Sequence, residues 1–147
     1  MSQPATTTEP VIITANWADH QLQLAAVRTA VFVDEQGVPA EIEMDAEDAR
    51  CHHLLALIEQ QPVGTARLMA NGRIGRLAVI KPCRNRGVGR QLLRASMALA
   101  KSLGMNNLHL HAQVQTLDFY RTAGFVAEGE EFVEAGIRHQ NMTLSFG

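Results

Sequence analysis

Cysteine is scarce in this chain: 147 residues contain two, Cys51 and Cys83. They lie far apart, form no CxxC pair and have no His/Cys cluster at ligand spacing, which argues against a zinc site or a disulfide-stapled scaffold. Reduced thiols in a cytoplasmic protein are expected. Aromatic residues make up 5%, with one Trp and one Tyr. That is little material for the stacking platforms that hold nucleic acid strands. No apolar run approaches the ~20 residues that span a bilayer. The opening MSQPATTTEP has neither the basic nor the apolar region of a signal peptide, so residues 1–10 are expected to be a disordered lead-in. With no internal repeat and no linker, residues 11–147 are expected to form one domain. A domain of this size buries roughly 68–70% of its unfolded surface and folds without staples.

Charge is absent in one sign from two long stretches. Residues 34–48 hold seven acids and no base, and residues 67–101 hold nine bases and no acid. The net charge of -2 is therefore a cancellation. A phosphate-bearing partner suits the basic stretch, and the acidic stretch suggests a mouth that attracts a cation. A DNA or RNA partner is not expected, because the arginines fall on opposite faces of one helix and strand.

Hydrophobic periodicity supplies the elements. Val11 to Thr14 reads as a strand, and residues from about Asp19 to Val33 as a helix closing at Gly37-Val38-Pro39. The acidic piece 40–50 has no period and reads as a loop or short frayed helix. Three strands follow as an antiparallel meander: His52–Glu59, Val63–Met69 and Ile74–Ile80, with Asn71-Gly72 as a hairpin signal. A helix after Pro82 carries an apolar stripe through Leu92, Leu99 and Leu103 and stops at Gly104. Leu108–Ala112 alternates as a strand, Thr116–Thr122 reads as a short helix, and a final hairpin turns at Glu134-Ala135-Gly136. The order βαβββαβαββ is α+β, a mixed central sheet flanked by helices, with a parallel crossover around residues 74–112.

That crossover places residues 81–89 after a strand and before a helix, where unpaired N–H groups and the helix dipole favour an anion. The loop reads Arg84-Asn85-Arg86-Gly87-Val88-Gly89, and its glycines remove the Cβ atoms that would hold an anion off the main chain. A Walker A loop needs Gly-Lys-Ser/Thr where Gly89-Arg90-Gln91 stands, and a dinucleotide fingerprint needs a third glycine where Leu92 stands.

The segment Val79 to Gly89 resembles the acetyl-CoA loop of the GNAT superfamily, an Arg or Gln followed by spaced glycines. Phe119-Tyr120-Arg121-Thr122-Ala123-Gly124-Phe125 is similar to that family's FYxxxGF signature, and the order of elements from Val11 to Phe146 agrees with its fold. Val31 to Pro39, with Gly136-Ile137-Arg138-His139, further resembles a small bacterial single-domain subgroup.

The resemblance implies direct acetyl transfer from acetyl-CoA to a primary amine of a small molecule or peptide, with no metal and no covalent enzyme intermediate. It implies that Arg84, Asn85, Arg86, Gly87, Val88, Gly89 and Arg90 cradle the CoA pyrophosphate. Leu77, Ala78 and Val79 are implied to pair with pantetheine and to offer an N–H to the thioester oxygen. Such preorganised donors are worth about 3–4 kcal/mol each in a dry site. Tyr120 stands where family members protonate the departing thiolate; a phenol stays protonated at pH 7, with a reference pKa of ~10. Where many members carry an Asn after the fifth strand, this chain has His111-Ala112-Gln113, so Gln113 is the expected pantetheine contact.

An ammonium acceptor must lose a proton. Glu35 leads as base or substrate anchor; Glu131 and His139 come next, facing one another if the last turn lies at 134–136. His52, His53, His109 and His111 lack partners at metal-ligand spacing and read as structural. Cys83 sits at the wrong end of the cofactor to act as a nucleophile. The competing class is a non-catalytic acyl-CoA-binding or sensing module. Homodimers occur in the family, and the apolar content permits one here.

Overall fold

Seven strands form one mixed sheet in the order β1-β2-β3-β4-β5-β7-β6. The structure is a computed structural model and describes residues 9–146; most of the expected lead-in over 1–10 lies outside the described residues. The strands are β1 (Val11–Ala15), β2 (His52–Ile58), β3 (Gln61–Leu68), β4 (Arg73–Val79), β5 (Asn107–Gln113), β6 (Val126–Glu134) and β7 (Ile137–Ser145). Helices α1 (Trp17–Arg28), α2 (Ala40–Glu43), α3 (Val88–Ser102) and α4 (Leu117–Arg121) complete the expected order, α2 being the short helix in the acidic piece.

The two faces of the sheet are covered by different helices. α3 lays Leu92, Leu93 and Ala100 against Leu54, Ala66, Ile74, Leu108 and Leu110. On the opposite face α1 buries Leu24 against Leu55 and Val27 against Ala78. α1 begins where Asn16 Oδ1 accepts the Asp19 N–H at 2.7 Å, a side-chain cap on an orphan donor. It stops as an α-helix at Arg28, earlier than its apolar spacing suggests, and widens into a π-helical turn over Thr29–Glu35. Such turns are rare and frequent at functional sites. This one places Phe32 and Glu35 beside the cavity described below.

Gly64 shows how closely α3 approaches. A Cβ there would lie 2.7 Å from Leu92 Cδ1 and 3.1 Å from the Ala78 carbonyl oxygen. Leu92 can turn away, whereas the Ala78 main chain is fixed by pairing with Thr65. Gly64→Ala is expected to cost about 1–3 kcal/mol, the usual scale of overpacking; the midpoint of thermal unfolding measures it, and an unchanged midpoint would show that the layer yields.

The acidic piece is not a solvated loop. α2 and a 3₁₀ turn over Ala46–Arg50 carry carboxylates into the interior, where Glu43 and Asp48 are 4% and 1% exposed. Arg28 reaches Glu43 at 3.1 Å and Asp48 at 2.8 Å. Arg67 reaches Asp48 at 3.0 Å and Asp45 at 2.8 Å, and Arg76 reaches Glu43 at 2.7 Å and Asp45 at 3.1 Å. The acidic mouth expected from charge placement is therefore corrected. Three of its carboxylates are consumed by internal arginines, two of which belong to the basic stretch.

β4 and β5 run parallel but pair only at Arg73↔His109 and Ile74↔Leu110. Beyond that point they part. The cause lies in β4, where the register with β3 slips between Thr65 and Arg67 and Arg76 takes a φ of 49°. This is a bulge, which bends a strand and raises its twist. β5 meanwhile stays paired with β7 along its whole length, from Asn107↔Ser145 to Gln113↔His139.

Candidate active site

The parted strands open a cavity of about 640 Å³. β4 and β5 form its sides, the π-helical turn and Val38 one wall, and the β6–β7 hairpin another. Hydrogen-bond register shows what β4 offers to it. The Ile80 N–H donates to the Val63 carbonyl at 2.9 Å, so the neighbouring Gly64↔Val79 pair is of the non-hydrogen-bonded kind. The main-chain groups of Val79 therefore face away from β3, toward the gap.

At the outer end of β4 the chain enters the glycine-bearing loop. Asn85 and Gly87 both have positive φ, 65° and 82°, and Gly87 is the N-cap of α3. A side chain at 87 would be strained whatever the space around it. No side-chain oxygen caps α3, and its first intrahelical bond, from the Gln91 N–H to the Gly87 carbonyl, is 3.0 Å. The first-turn N–H groups are thus left without an intrahelical acceptor and carry the positive end of a 15-residue helix, a favourable seat for phosphate.

The Arg84 side chain does not point to that seat. Its Nε donates to the Val79 carbonyl at 2.9 Å, and its two terminal nitrogens donate to both Glu35 oxygens at 2.6 Å. Glu35 is thereby occupied. The Arg84 hydrogen bonds hold its carboxyl below the usual range, which makes it a weak proton acceptor at neutral pH. Glu35, expected as base or substrate anchor, is held here by Arg84 and joins the π-helical turn to the loop. We expect Glu35→Gln to raise the Kd for acetyl-CoA severalfold through a loosened loop; calorimetry measures it, and an effect confined to the acceptor would restore the original assignment.

Tyr120 lies on α4 and lines the cavity from the α3 side. Its ring is fixed edge-on by Phe119 at 5.0 Å and Phe125 at 6.1 Å. Burial pushes its phenol far above the ordinary value, and among the described residues its hydroxyl has no hydrogen-bond partner. At the far end of β5, Gln113 lines the same cavity. Its amide exchanges hydrogen bonds with Gln36, the shorter at 2.9 Å, and accepts from Gln115 at 2.8 Å, so it ties β5 to the segment after the π-helical turn.

The last hairpin corrects another expectation. Its turn is the two residues Ala135 and Gly136, with φ 52° and 77°, the left-handed pair of a tight hairpin. Glu134 therefore pairs with Ile137, and Phe132 with His139. Glu131 does not face His139; it ion-pairs with Arg138 at the exposed edge and is absent from the cavity wall. His139 does line the cavity and is 8% exposed.

Three residues not singled out as site candidates line it too: Arg73, His111 and Glu134. His111 Nδ1 lies 3.2 Å from Glu134 Oε2 and 3.0 Å from an Arg73 nitrogen. Period-two alternation had put His111 on one strand face, and a two-residue turn would have put Glu134 on the same side. The one-residue difference in turn length hid the pairing.

A helix N-terminus thus opens onto a slot between parted parallel strands, with a phenol on one side and an imidazole on the other. The chain is matched over residues 15–146 by the model of the acetyltransferase (GNAT) domain, and it belongs to that family. The uncharacterized N-acetyltransferase YjcF of Bacillus subtilis is 37% identical over 120 residues, covering 79% of this chain and 86% of that one. An acyl-CoA N-acyltransferase from Pseudomonas aeruginosa superposes with a TM-score of 0.81 at 31% identity, covering 92% and 99% of the two chains. Escherichia coli ElaA superposes at 0.82 with 25% identity, covering 92% and 99%.

Proposed function

We propose that this acetyltransferase takes the acetyl group from acetyl-CoA and passes it directly to a primary amine. The observation that carries the reading is the parting of β4 from β5 immediately before the α3 N-terminus. It leaves a path from the α3 N-terminus, past the Val79 main chain that faces away from β3, to a cavity lined by Tyr120.

In this reading the N–H groups of residues 85–90 hold the pyrophosphate, with Gly87 supplying the left-handed turn, while the Arg84 N–H donates to the Lys81 carbonyl. Leu77, Ala78 and Val79 present the main chain to the pantetheine amides. An N–H of this strand, with Val79 the one whose register faces the gap, receives the negative charge that develops on the thioester oxygen. Gln113 closes the slot from the β5 side, and the Tyr120 hydroxyl donates to the departing sulfur. Glu35 acts through Arg84 by fixing the loop. No helix among the described residues is long and apolar enough to cross a membrane, and among them no cluster of metal-ligating side chains forms.

Calorimetric titration with acetyl-CoA tests the donor: saturable binding is expected, and none at millimolar concentration sinks the reading. Thiol release across a panel of amines, polyamines and peptide N-termini tests the acceptor. Binding with no thiol release from any member would instead identify a non-catalytic acyl-CoA module.

A further inference from the structure

The wall of the cavity formed by β5, β7 and the end of β6 carries a polar cluster. Leu108, Leu110 and Ala112 of β5 turn to the α3 face, so His109, His111 and Gln113 turn to the α1 face. His111 is the first residue of β5 beyond the last β4 pair, Ile74↔Leu110, and so stands at the inner end of the slot. Charged and titratable groups meet it from three neighbouring strands. Arg73 of β4 and Glu134 of β6 contact its Nδ1, and His139 of β7 approaches the same Glu134 oxygen at 3.9 Å. His109 lies two residues back on its own strand. Phe132 packs edge-on against the His111 ring at 5.0 Å. Among the described residues the other ring nitrogen, Nε2, has no hydrogen-bond partner, and it is not among the atoms sealed from solvent.

Tyr120 packs into the core on the α3 face. An imidazole and a phenol therefore flank the slot from opposite faces of the sheet, as required of a base acting on an incoming nucleophile and an acid acting on the leaving group.

We propose that His111, oriented by Glu134, is the base that takes a proton from the acceptor's ammonium group at the inner end of the slot. The inference rests on the reading of the chain as an amine acetyltransferase. In this proposal Nδ1–H donates to Glu134 Oε2 at 3.2 Å, which leaves the lone pair on Nε2; the Arg73 nitrogen 3.0 Å from Nδ1, itself only a donor, then turns to Glu134, 3.5 Å away. Nε2 removes one proton from the ammonium, and the freed nitrogen forms the C–N bond to the thioester carbonyl. As the C–S bond breaks, a second amine proton passes to sulfur by way of the Tyr120 hydroxyl, and the first leaves His111 for solvent. One amide, one thiol and one solvated proton result.

Nδ1 has a single proton site, so it either donates to Glu134 or accepts from Arg73, and this choice makes the inference testable without a substrate. Nitrogen-15 imidazole spectra are expected to show neutral His111 protonated on Nδ1, and Glu134→Gln to shift the proton toward Nε2. A wild-type protein protonated on Nε2 overturns the proposal.

The kinetic arm uses two nucleophiles with acetyl-CoA: 2-phenylethylamine, which is an ammonium at neutral pH, and hydroxylamine, which is largely unprotonated there. His111→Gln is expected to lower phenylethylamine-dependent thiol release at neutral pH at least ~100-fold. Hydroxylamine-dependent release should fall by less than about threefold, because its nitrogen needs no base to become nucleophilic. Equal losses with both nucleophiles, or none with either, overturn the assignment. Calorimetry on the same variant separates the two levels. Failure of the wild-type protein to bind acetyl-CoA defeats the acetyltransferase reading itself, whereas intact binding with unaltered phenylethylamine kinetics in the variant defeats only His111.

Discussion

Asp48→Asn is expected to lower the unfolding free energy by about 3–5 kcal/mol, the scale of a buried ion pair broken from one side. Asp48 is the shared acceptor of two interior guanidiniums, Arg28 at 2.8 Å and Arg67 at 3.0 Å. An asparagine fills the same space but removes the charge the two guanidiniums share, leaving Arg28 with Glu43 and Arg67 with Asp45 as their remaining partners. Urea unfolding reads the effect: with m of about 1–3 kcal/mol per molar, the midpoint falls by at least about 1 M. The control is Arg50→Ala, which removes an exposed 3.9 Å pair with Glu47 and is expected to move stability by less than about 0.5 kcal/mol. Similar shifts in the two variants would mean that the buried network contributes nothing special. Acid titration gives a second view. Burial acts to raise Asp48, but the hydrogen bonds and charges of Arg28 and Arg67 outweigh it and hold the carboxyl below its usual range. Its contribution is therefore present above the unfolded pKa of ~3.9 and is lost as pH falls through the lower folded value. Glu43 works the other way. Burial raises it despite Arg76 and Arg28, so its contribution shrinks as pH rises from ~4.3 through its folded value.

Tyr120→Phe is expected to reduce kcat by about 10²–10⁴, the range for loss of a positioned proton donor, while acetyl-CoA affinity stays nearly unchanged. The ring contacts with Phe119 and Phe125 survive the change, so only the hydroxyl is removed. An unaltered kcat would exclude Tyr120 as the donor to sulfur. Because this is the only tyrosine of the chain, phenolate absorbance reports on it alone. Burial holds the phenol protonated, so the native protein should show no phenolate until well above the ordinary value of ~10, whereas the urea-unfolded chain titrates there. The native state then binds more protons than the unfolded state above pH ~10, and stability falls as pH rises beyond it. A native titration at the ordinary value would show the hydroxyl to be hydrated.

The order of elements and the sheet class were legible because each strand and helix carries its own local signal: the Asn71-Gly72 turn, the stripe of α3, the alternation of β5. The glycine-bearing loop was legible for the same reason, since its glycines and the helix that follows lie within a few residues of one another. What sequence could not reveal was side-chain pairing between distant segments. The acids of residues 34–48 look solvated until Arg28, Arg67 and Arg76 are brought from three other elements to meet Glu43, Asp45 and Asp48. Glu35 looked free until Arg84, 49 residues away, arrived beside it. The Glu134–His111 contact depended on whether the last turn holds two residues or three, and the left-handed φ at Ala135, a residue type that seldom adopts it, gave no local warning. Nor did apolar spacing announce the widened turn after Arg28.

The separation of β4 from β5 gives the sheet a third edge in addition to its outer ones at β1 and β6. Outer edges of this kind invite other chains, and proteins blunt them. This one is interior, bounded by helices and a hairpin. If the donor binds as proposed, its amide groups pair along this edge and close a seam in the fold. Occupancy and mechanical integrity are then one property: the protein should become harder to unfold as its donor concentration rises, by RT ln(1 + [L]/Kd), before any acceptor is present.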